Sequence, residues 1–323
     1  MLKKLLNQAT IALTITAKGP LLIKSGIEGG ADPSVPDMQF VRTGEQVYIP
    51  GSSLKGVFRS YAEKIARTVE ARCCNPFDDD FCGKKLENNK RGDEVYKRSC
   101  RICKLFGSTA MASRIKFNDA YPLDGQTPMT ETRTGVAIDR ILGSVAHGPF
   151  DFEVVTQGAF ATTIQLRNFE VWQVGLLALV LRDLEEGLIP IGFGKSRGLG
   201  DVEARVTLFK VRYPSVVDDV RSNAVHTLYG IGKLVTDQER KAYWTTADGP
   251  EEGADDPKEE GERPEKDLVT FESGVSRSED DLGVSVIFED VARQEVFRKC
   301  VDKRWREVVQ HDRSHQQDRA RRS

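Results

Sequence analysis

The sequence predicts an α+β protein with a ferredoxin-like core, because strand and helix patterns follow one another in the order β-α-β-β-α-β. Alternating or continuous apolar residues predict strands at 10–17, 46–49, 114–118, 152–167 and 202–211. Apolar residues at helical spacing predict helices at 53–72 and 171–186. This order places both helices on one face of an antiparallel sheet, and another α+β arrangement is the alternative.

The first helix follows a proline–glycine turn at 50–51. We expect Ser52 or Ser53 to cap the helix by accepting a hydrogen bond from one of its first amides. Lys55 and Arg59 then follow on one face of the helix. Free amides, the positive end of the helix dipole and two cations together suit a phosphate. A solvated helix face with no ligand is the alternative.

Five of the six cysteines lie close together in the sequence, at Cys73, Cys74, Cys82, Cys100 and Cys103. In a reducing compartment such a cluster indicates a metal site before disulfides, and four thiolates suit tetrahedral zinc. The turn that begins after Cys74 favours it over Cys73 as the fourth ligand. The segment between the ligands is highly charged, so the zinc is expected to be structural.

A second loop of chemical interest, 192–200, contains four glycines together with Lys195 and Arg197. It is not a nucleotide-binding P-loop, because a helix precedes it and a strand follows it. Glycines allow a ligand to approach the backbone, so the loop suits a phosphate backbone. A structural glycine turn is the alternative.

Composition sets the remaining limits. The chain has 323 residues, 39% hydrophobic and 30% charged, with a net charge of −2, so any nucleic-acid surface must be local. No apolar run has membrane-spanning length, and a cytoplasmic location is the simplest expectation. We divide the chain into a core (1–211) and a C-terminal extension (212–323). The core contains a cysteine-rich insertion (73–103) and a hairpin (138–152), and the extension contains an acidic linker (245–267). A strand at 282–288 and a helix at 290–309 are predicted in the extension.

Four sequence motifs occur together in a fixed order. They are Ile49–Gly56, Leu105–Ser108, Ala137–Arg140 and the glycine-rich loop. This set resembles the signature of the RAMP superfamily, and most closely that of the backbone subunit of type III CRISPR effector complexes, in a zinc-bearing branch. The resemblance runs from about residue 10 to residue 211.

The resemblance implies a modified ferredoxin-like core, similar to an RNA-recognition motif, that stacks with copies of itself or paralogues along a guide RNA. The other partners it implies are further effector subunits and a complementary target RNA. The positions that carry over contact with the guide backbone are Ser53, Lys55, Arg59, Lys195 and Arg197. The hairpin resembles the family's thumb, which enters the guide–target duplex, and Arg140 and His147 are its candidate RNA contacts.

The resemblance also implies that an acid in the loop after the first strand, with a divalent metal such as Mg²⁺ or Mn²⁺, cleaves target RNA. Asp37 fits the spacing to the proline–glycine turn best, and Asp32 is the second candidate. The alternatives are a scaffold subunit without activity of its own and a stand-alone endonuclease that processes guide RNA. The shortage of histidines, four in the whole sequence, argues against the stand-alone endonuclease, because a histidine-dependent ribonuclease needs two histidines placed together.

Overall fold

The structure, a computed structural model, describes residues 3–28, 36–89, 91–214, 218–244 and 266–322. It confirms the mixed α+β class, with 35% helix and 33% strand. The strands are β1 (Gln8–Ala17), β2 (Lys24–Glu28), β3 (Met38–Phe40), β4 (Arg42–Thr43), β5 (Gln46–Val47), β6 (Ile115–Phe117), β7 (Tyr121–Pro122), β8 (Met129–Ile138), β9 (Val145–Gln157), β10 (Ala159–Arg167), β11 (Val202–Tyr213), β12 (Thr227–Tyr229), β13 (Leu268–Thr270), β14 (Ser276–Asp280) and β15 (Gly283–Phe288). The helices are α1 (Gly51–Thr68), α2 (Cys82–Lys85), α3 (Gly92–Arg98), α4 (Arg101–Phe106), α5 (Val171–Glu185), α6 (Asp218–Asn223), α7 (Ile231–Leu234), α8 (Asp237–Trp244), α9 (Asp290–Lys299) and α10 (Arg306–Arg322), with a π-helical segment (Cys300–Trp305) between the last two.

The largest sheet has the strand order β14-β15-β11-β1-β10-β6, and β7 also pairs with β10. The last four strands in this order, β11-β1-β10-β6, are the fourth, first, third and second strands of the β-α-β-β-α-β unit. All neighbouring pairs in it are antiparallel. This is the ferredoxin-like arrangement that the element order predicts.

One face of this core sheet is buried beneath helices. Along β1 the apolar residues Ala9, Ile11, Leu13 and Ile15 are at most 1% exposed, whereas the residues between them keep partial exposure. Helix α1 contacts β6 and α5, and α5 contacts β11. The strict alternation follows from the two-residue period of a strand with one buried face.

The prediction of one long strand over 152–167 is wrong. The chain breaks at Gly158, so that β9 belongs to a four-stranded sheet of order β2-β3-β9-β8 and β10 belongs to the core sheet. A Cβ at Gly158 would lie 2.9 Å from the side chain of Pro128, so the crossing needs a glycine. The hairpin formed by β8 and β9 therefore begins at Met129, earlier than the predicted position 138.

The predicted serine cap of the first helix is also wrong. Helix α1 begins at Gly51, Pro50 occupies the N-cap position, and no N-cap side chain accepts a hydrogen bond there. A Cβ at Gly51 would lie 2.5 Å from the backbone oxygen of Phe117, so the helix start fits tightly against β6. The carboxylate of Asp119 instead accepts the Gly51 amide at 2.7 Å.

Residues after 211 continue the core. Strand β15 pairs with β11, and β14 pairs with β15 at the sheet's edge. Helix α9 and the π-helical segment pack on α5, where Trp172 and Trp305 stack. The division of the chain at residue 211 stays a prediction, and the acidic stretch 245–265 lies outside the described residues.

Within the part of the chain that the structure describes, no helix combines the length and the apolar character needed to cross a membrane.

Candidate metal centre and nucleic-acid interface

The structure brings four cysteine sulfurs together, those of Cys74, Cys82, Cys100 and Cys103, all within 4.8 Å of one another. The Sγ atoms of Cys74 and Cys103 lie 3.7 Å apart, and those of Cys74 and Cys100 lie 3.6 Å apart. Tetrahedral zinc with Zn–S bonds of about 2.3 Å places its sulfurs about 3.8 Å apart. The donor set and its spacing therefore fit a metal such as zinc.

Cys73 does not belong to this group of sulfurs. Burial raises the pKa of its thiol to about 12, so it stays protonated at neutral pH. The sequence could separate the two adjacent cysteines only by the turn that follows Cys74, and the structure places the Cys74 sulfur in the cluster.

Backbone and charged groups support the cluster. The amide of Cys100 donates to the Cys82 sulfur at 3.2 Å, and the amide of Cys103 approaches the Cys100 sulfur at 3.5 Å. Arg59 on α1 directs one guanidinium nitrogen at the Cys103 sulfur at 3.8 Å and another at the carbonyl oxygen of Gly107 at 3.1 Å. Such contacts orient ligands and offset the charge of thiolates.

Arg59 therefore differs from its neighbour Lys55. The Arg59 guanidinium also donates to Glu63 at 3.0 Å, so the protein itself engages all three of its nitrogens. Lys55 has no ion-pair partner among the described residues, and burial together with the nearby Arg59 charge lowers the pKa of its ammonium. An anion placed beside Lys55 would relieve that repulsion.

The first turn of α1 keeps donors for such an anion. The Gly51 amide donates to the Asp119 carboxylate, but the amides of Ser52 and Ser53 have no acceptor among the residues described. Ser52 is exposed and Ser53 is partly exposed. The helix start thus presents two free N–H groups beside Lys55.

The glycine-rich loop is fixed to the chain that follows β1. The Phe193 amide donates to Leu22, and the Gly200 amide donates to Pro20. Gly194 and Gly198, with φ of +71° and +76°, flank a single 3-10 turn over Lys195–Arg197. Left-handed backbone at both ends favours glycine and leaves the two cations exposed on a tight turn.

Neither loop cation has an acid partner among the described residues. The Arg197 guanidinium lies over the Phe193 ring, 5.0 Å from its centroid. Partial burial and the nearby Lys64 ammonium lower the pKa of Lys195. Lys64 belongs to α1, so this loop lies near the helix, on a different side of it from Lys55 and Arg59. Sequence reasoning missed Lys64 because it lies off the Lys55–Arg59 face of the helix.

The hairpin of β8 and β9 turns over residues 139–144. The Asp139 carboxylate accepts the amides of Ile141 and Leu142, each at 2.8 Å, which lowers its pKa and fixes the turn. Arg140 and His147 are exposed on this end of the hairpin. The large apolar residues exposed around them are Val136, Ile138, Ile141, Leu142 and Val145.

Asp37 lies beside the middle of the same hairpin. One of its carboxylate oxygens accepts the Asp151 amide of β9 at 2.8 Å, and the adjacent Met38 pairs with Phe152. The Asp151 side chain is itself bonded to Thr134 across the hairpin. Asp32 lies outside the described residues.

A family model described as the RAMP superfamily matches residues 14–203, from β1 into β11. The chain belongs to the RAMP superfamily. This membership implies a CRISPR-associated RNA-binding module, and the matched range contains the cysteine cluster, the start of α1, the hairpin and the glycine-rich loop. No curated protein matches the chain.

Proposed function

We propose that this protein is a guide-RNA-binding backbone subunit of a type III CRISPR antiviral effector complex. The observation that carries the proposal is that two motifs of the matched range, the start of α1 and the glycine-rich loop, each present cations without an acid partner among the described residues. Lys55 and Lys195 both have lowered pKa values, each with a neighbouring cation among the causes and no acid among them. A polyanion would compensate both repulsions at once, and the guide backbone is such a polyanion.

Across the helix start and the loop, the contacts favour a division of roles. Lys55, Lys195 and Lys64 supply charge to phosphates, while the free amides of Ser52 and Ser53 supply directed donors. Arg197, held over an aromatic ring, adds a fourth cation. Arg59, which the sequence resemblance implies as a guide contact, has a second role here in supporting the Cys103 sulfur.

The hairpin is proposed as the thumb that enters the guide–target duplex. Its end exposes apolar side chains, among them Ile141 and Leu142, at 92% and 80% exposure. Apolar wedges between bases are a common means of unstacking a duplex. Arg140 and His147 lie beside this wedge, where a cation and a ring can contact phosphate and base.

Zinc is proposed as the metal at Cys74, Cys82, Cys100 and Cys103. When bound it supplies a cross-link between the chain after α1 and the start of α4, with no open coordination position for chemistry. Its role is then to hold the insertion against α1, and Arg59 of α1 adds a contact to the Cys103 sulfur of the insertion.

Target-RNA cleavage is proposed at Asp37, with Asp32 as the second candidate. The Asp37 carboxylate uses one oxygen for the Asp151 amide, which keeps the acid next to the hairpin that displaces a base. The other oxygen can hold Mg²⁺ or Mn²⁺ or accept a proton from the 2′-hydroxyl, and the metal would stabilise charge on the phosphate.

The test compares Asp37→Asn, Asp32→Asn and Asp124→Asn, an exposed loop acid as control, in the guide-loaded complex with Mg²⁺. Asparagine keeps an acceptor for the Asp151 amide and removes the charge. We expect Asp37→Asn to slow target cleavage by about 10²-fold or more with unchanged RNA binding. Loss of cleavage only in Asp32→Asn assigns the acid to position 32, and cleavage unchanged in both variants favours the scaffold role. Cleavage of precursor RNA by the isolated protein without metal favours the processing endonuclease.

A further inference from the structure

The core sheet has a second face, opposite α1 and α5, whose residues on β1 are partly exposed rather than buried. Directly opposed residues of antiparallel strands point to the same side, so the strand register gives the composition of this face. One row crosses four strands, because Lys116 opposes Gln165, Gln165 opposes Thr10, and Thr10 opposes Lys210. We call this surface the open face.

A second row lies nearer the other end of the strands. Tyr121 opposes Ala161, Ala161 opposes Thr14, and Thr14 opposes Arg205. The centre of the open face is therefore built from threonine, alanine and glutamine, while its two sides carry cations and a tyrosine.

Charge on the open face is unbalanced. Four of its cations have no acid within ion-pair distance among the described residues: Lys116, Arg167, Arg205 and Lys210. Among the described residues, the Arg167 side chain donates to the neutral amide oxygen of Gln165. Its two acids are already matched, Glu203 by Lys18 at 2.5 Å and Asp280 by Arg212 at 3.2 Å. In a chain of net charge −2, this surface is locally and strongly positive.

An aromatic pair stands at one corner of the same surface. The rings of Tyr48 and Tyr121 stack with centroids 5.6 Å apart and planes at 17°. Tyr121 is 41% exposed, although it is a large aromatic residue. Ile49 and Ala120 pair beside them, so the stack is held rigidly by backbone hydrogen bonds.

We propose that the open face binds a single strand of RNA through its phosphates, with Tyr121 stacking on one base at the corner. Lys116 and Lys210 are three strands apart, about 14 Å between their backbones, so they can contact different phosphates. The central strands offer threonine rather than aromatic residues, so binding should be independent of sequence and strongly salt-dependent. This surface is distinct from the α1 surface of the proposed function.

The test uses the full chain and a uridine oligonucleotide carrying a photoreactive 5-iodouridine. The open-face variant is Lys116→Ala/Arg205→Ala/Lys210→Ala. The control is Lys85→Ala/Arg298→Ala/Lys303→Ala, which removes two lysines and one arginine at exposed positions elsewhere. Both triple variants are also made in a Lys55→Ala/Lys195→Ala background. Because that background lacks cations of the helix start and the glycine-rich loop, the RNA binding that remains measures the open face separately from the proposed function.

We expect the open-face variant to lose affinity by about tenfold or more and to lower the salt slope, log K against log salt, by about 2. We also expect the photocrosslink to map to Tyr121 and to fall in Tyr121→Ala but not in Tyr121→Phe, which keeps the ring. Unchanged affinity and slope in the open-face variant would overturn the proposal. So would polyglutamate that competes as well as RNA at equal charge, because it would indicate an acidic protein as the occupant.

Discussion

Two insertions into the ferredoxin-like order have opposite characters. The cysteine-rich insertion between α1 and β6 packs against the rest of the molecule through buried side chains. Tyr96 is fully buried, and every residue of α4 is buried as well. The hairpin between β7 and β10 buries Val154 and Val155 near its base but exposes large apolar residues at its end. The first insertion stabilises the chain, and the second presents a surface to a partner.

The difference extends to charge. In the insertion, Arg101 and Asp312 form a buried ion pair at 2.6 Å, with side chains 1% and 0% exposed, which attaches α4 to α10. On the hairpin, Arg140 and His147 are exposed and have no ion-pair partner among the residues described. Buried charges that are paired are structural, whereas exposed cations beside apolar residues suit a nucleic acid.

The largest expected effect is loss of the cluster. Cys100→Ser removes a buried ligand, and structural zinc contributes about 10 kcal/mol or more of binding free energy, comparable to the stability of a whole domain. We expect zinc to be absent by elemental analysis and the protein to unfold or aggregate. The matched control is Cys73→Ser, which should keep the zinc, and equal loss of metal in both variants would contradict the ligand assignment.

The buried ion pair gives the next effect. Asp312→Ala leaves Arg101 charged and buried, so we expect a loss of about 3–5 kcal/mol in the free energy of unfolding, measured with urea. Asp302→Ala removes an exposed ion pair with Arg306 in the same region and should cost less than about 1 kcal/mol. Equal effects of the two variants would show that α10 is not attached through Arg101.

The same pair predicts a pH dependence. Burial would raise the pKa of Asp312, but the Arg101 guanidinium outweighs burial and holds that pKa well below its usual range. This contribution to stability is therefore complete above about pH 4, the ordinary pKa of an aspartate, and is lost as the pH falls below it. Asp312→Asn should weaken the fall in melting temperature on acidification, and an unchanged acid profile would contradict this assignment.

The smallest expected effect on stability is at the end of the hairpin. Ile141→Ser/Leu142→Ser should change the free energy of unfolding by less than about 0.5 kcal/mol per residue, because both side chains are exposed. The control Val154→Ser, at a fully buried position of the same hairpin, should cost about 2 kcal/mol or more. We expect only the exposed pair to weaken target-duplex binding without lowering the melting temperature. A large loss of stability would instead give the hairpin's end a structural role.

Local patterns predicted much of this structure. Alternation along β1 and helical spacing along α5 give nearly the observed bounds, and the C-x2-C pair at Cys100 and Cys103 indicated the metal site. These features depend on neighbouring residues, so a sequence contains them directly. The break at Gly158 had one local signal, a glycine inside a strand pattern, which often marks a bend.

The remaining features depend on residues far apart in the chain. Asp119 caps α1 from 68 residues away, and Asp312 pairs with Arg101 across 211 residues. Lys64 of α1 lies near Lys195 of the glycine-rich loop, although the two residues are far apart in the sequence. Likewise, the open face appears only once the strand order is known. No local spacing contains such contacts.

The most direct test of the central claim is the RNA that co-purifies with the full chain. We expect the wild-type protein to retain RNA of uniform length, and Lys55→Ala/Lys195→Ala to lose most of it while Lys85→Ala/Lys303→Ala retains it. Bulk RNA of random length, or equal retention by both double variants, would contradict a guide-binding surface formed by α1 and the glycine-rich loop.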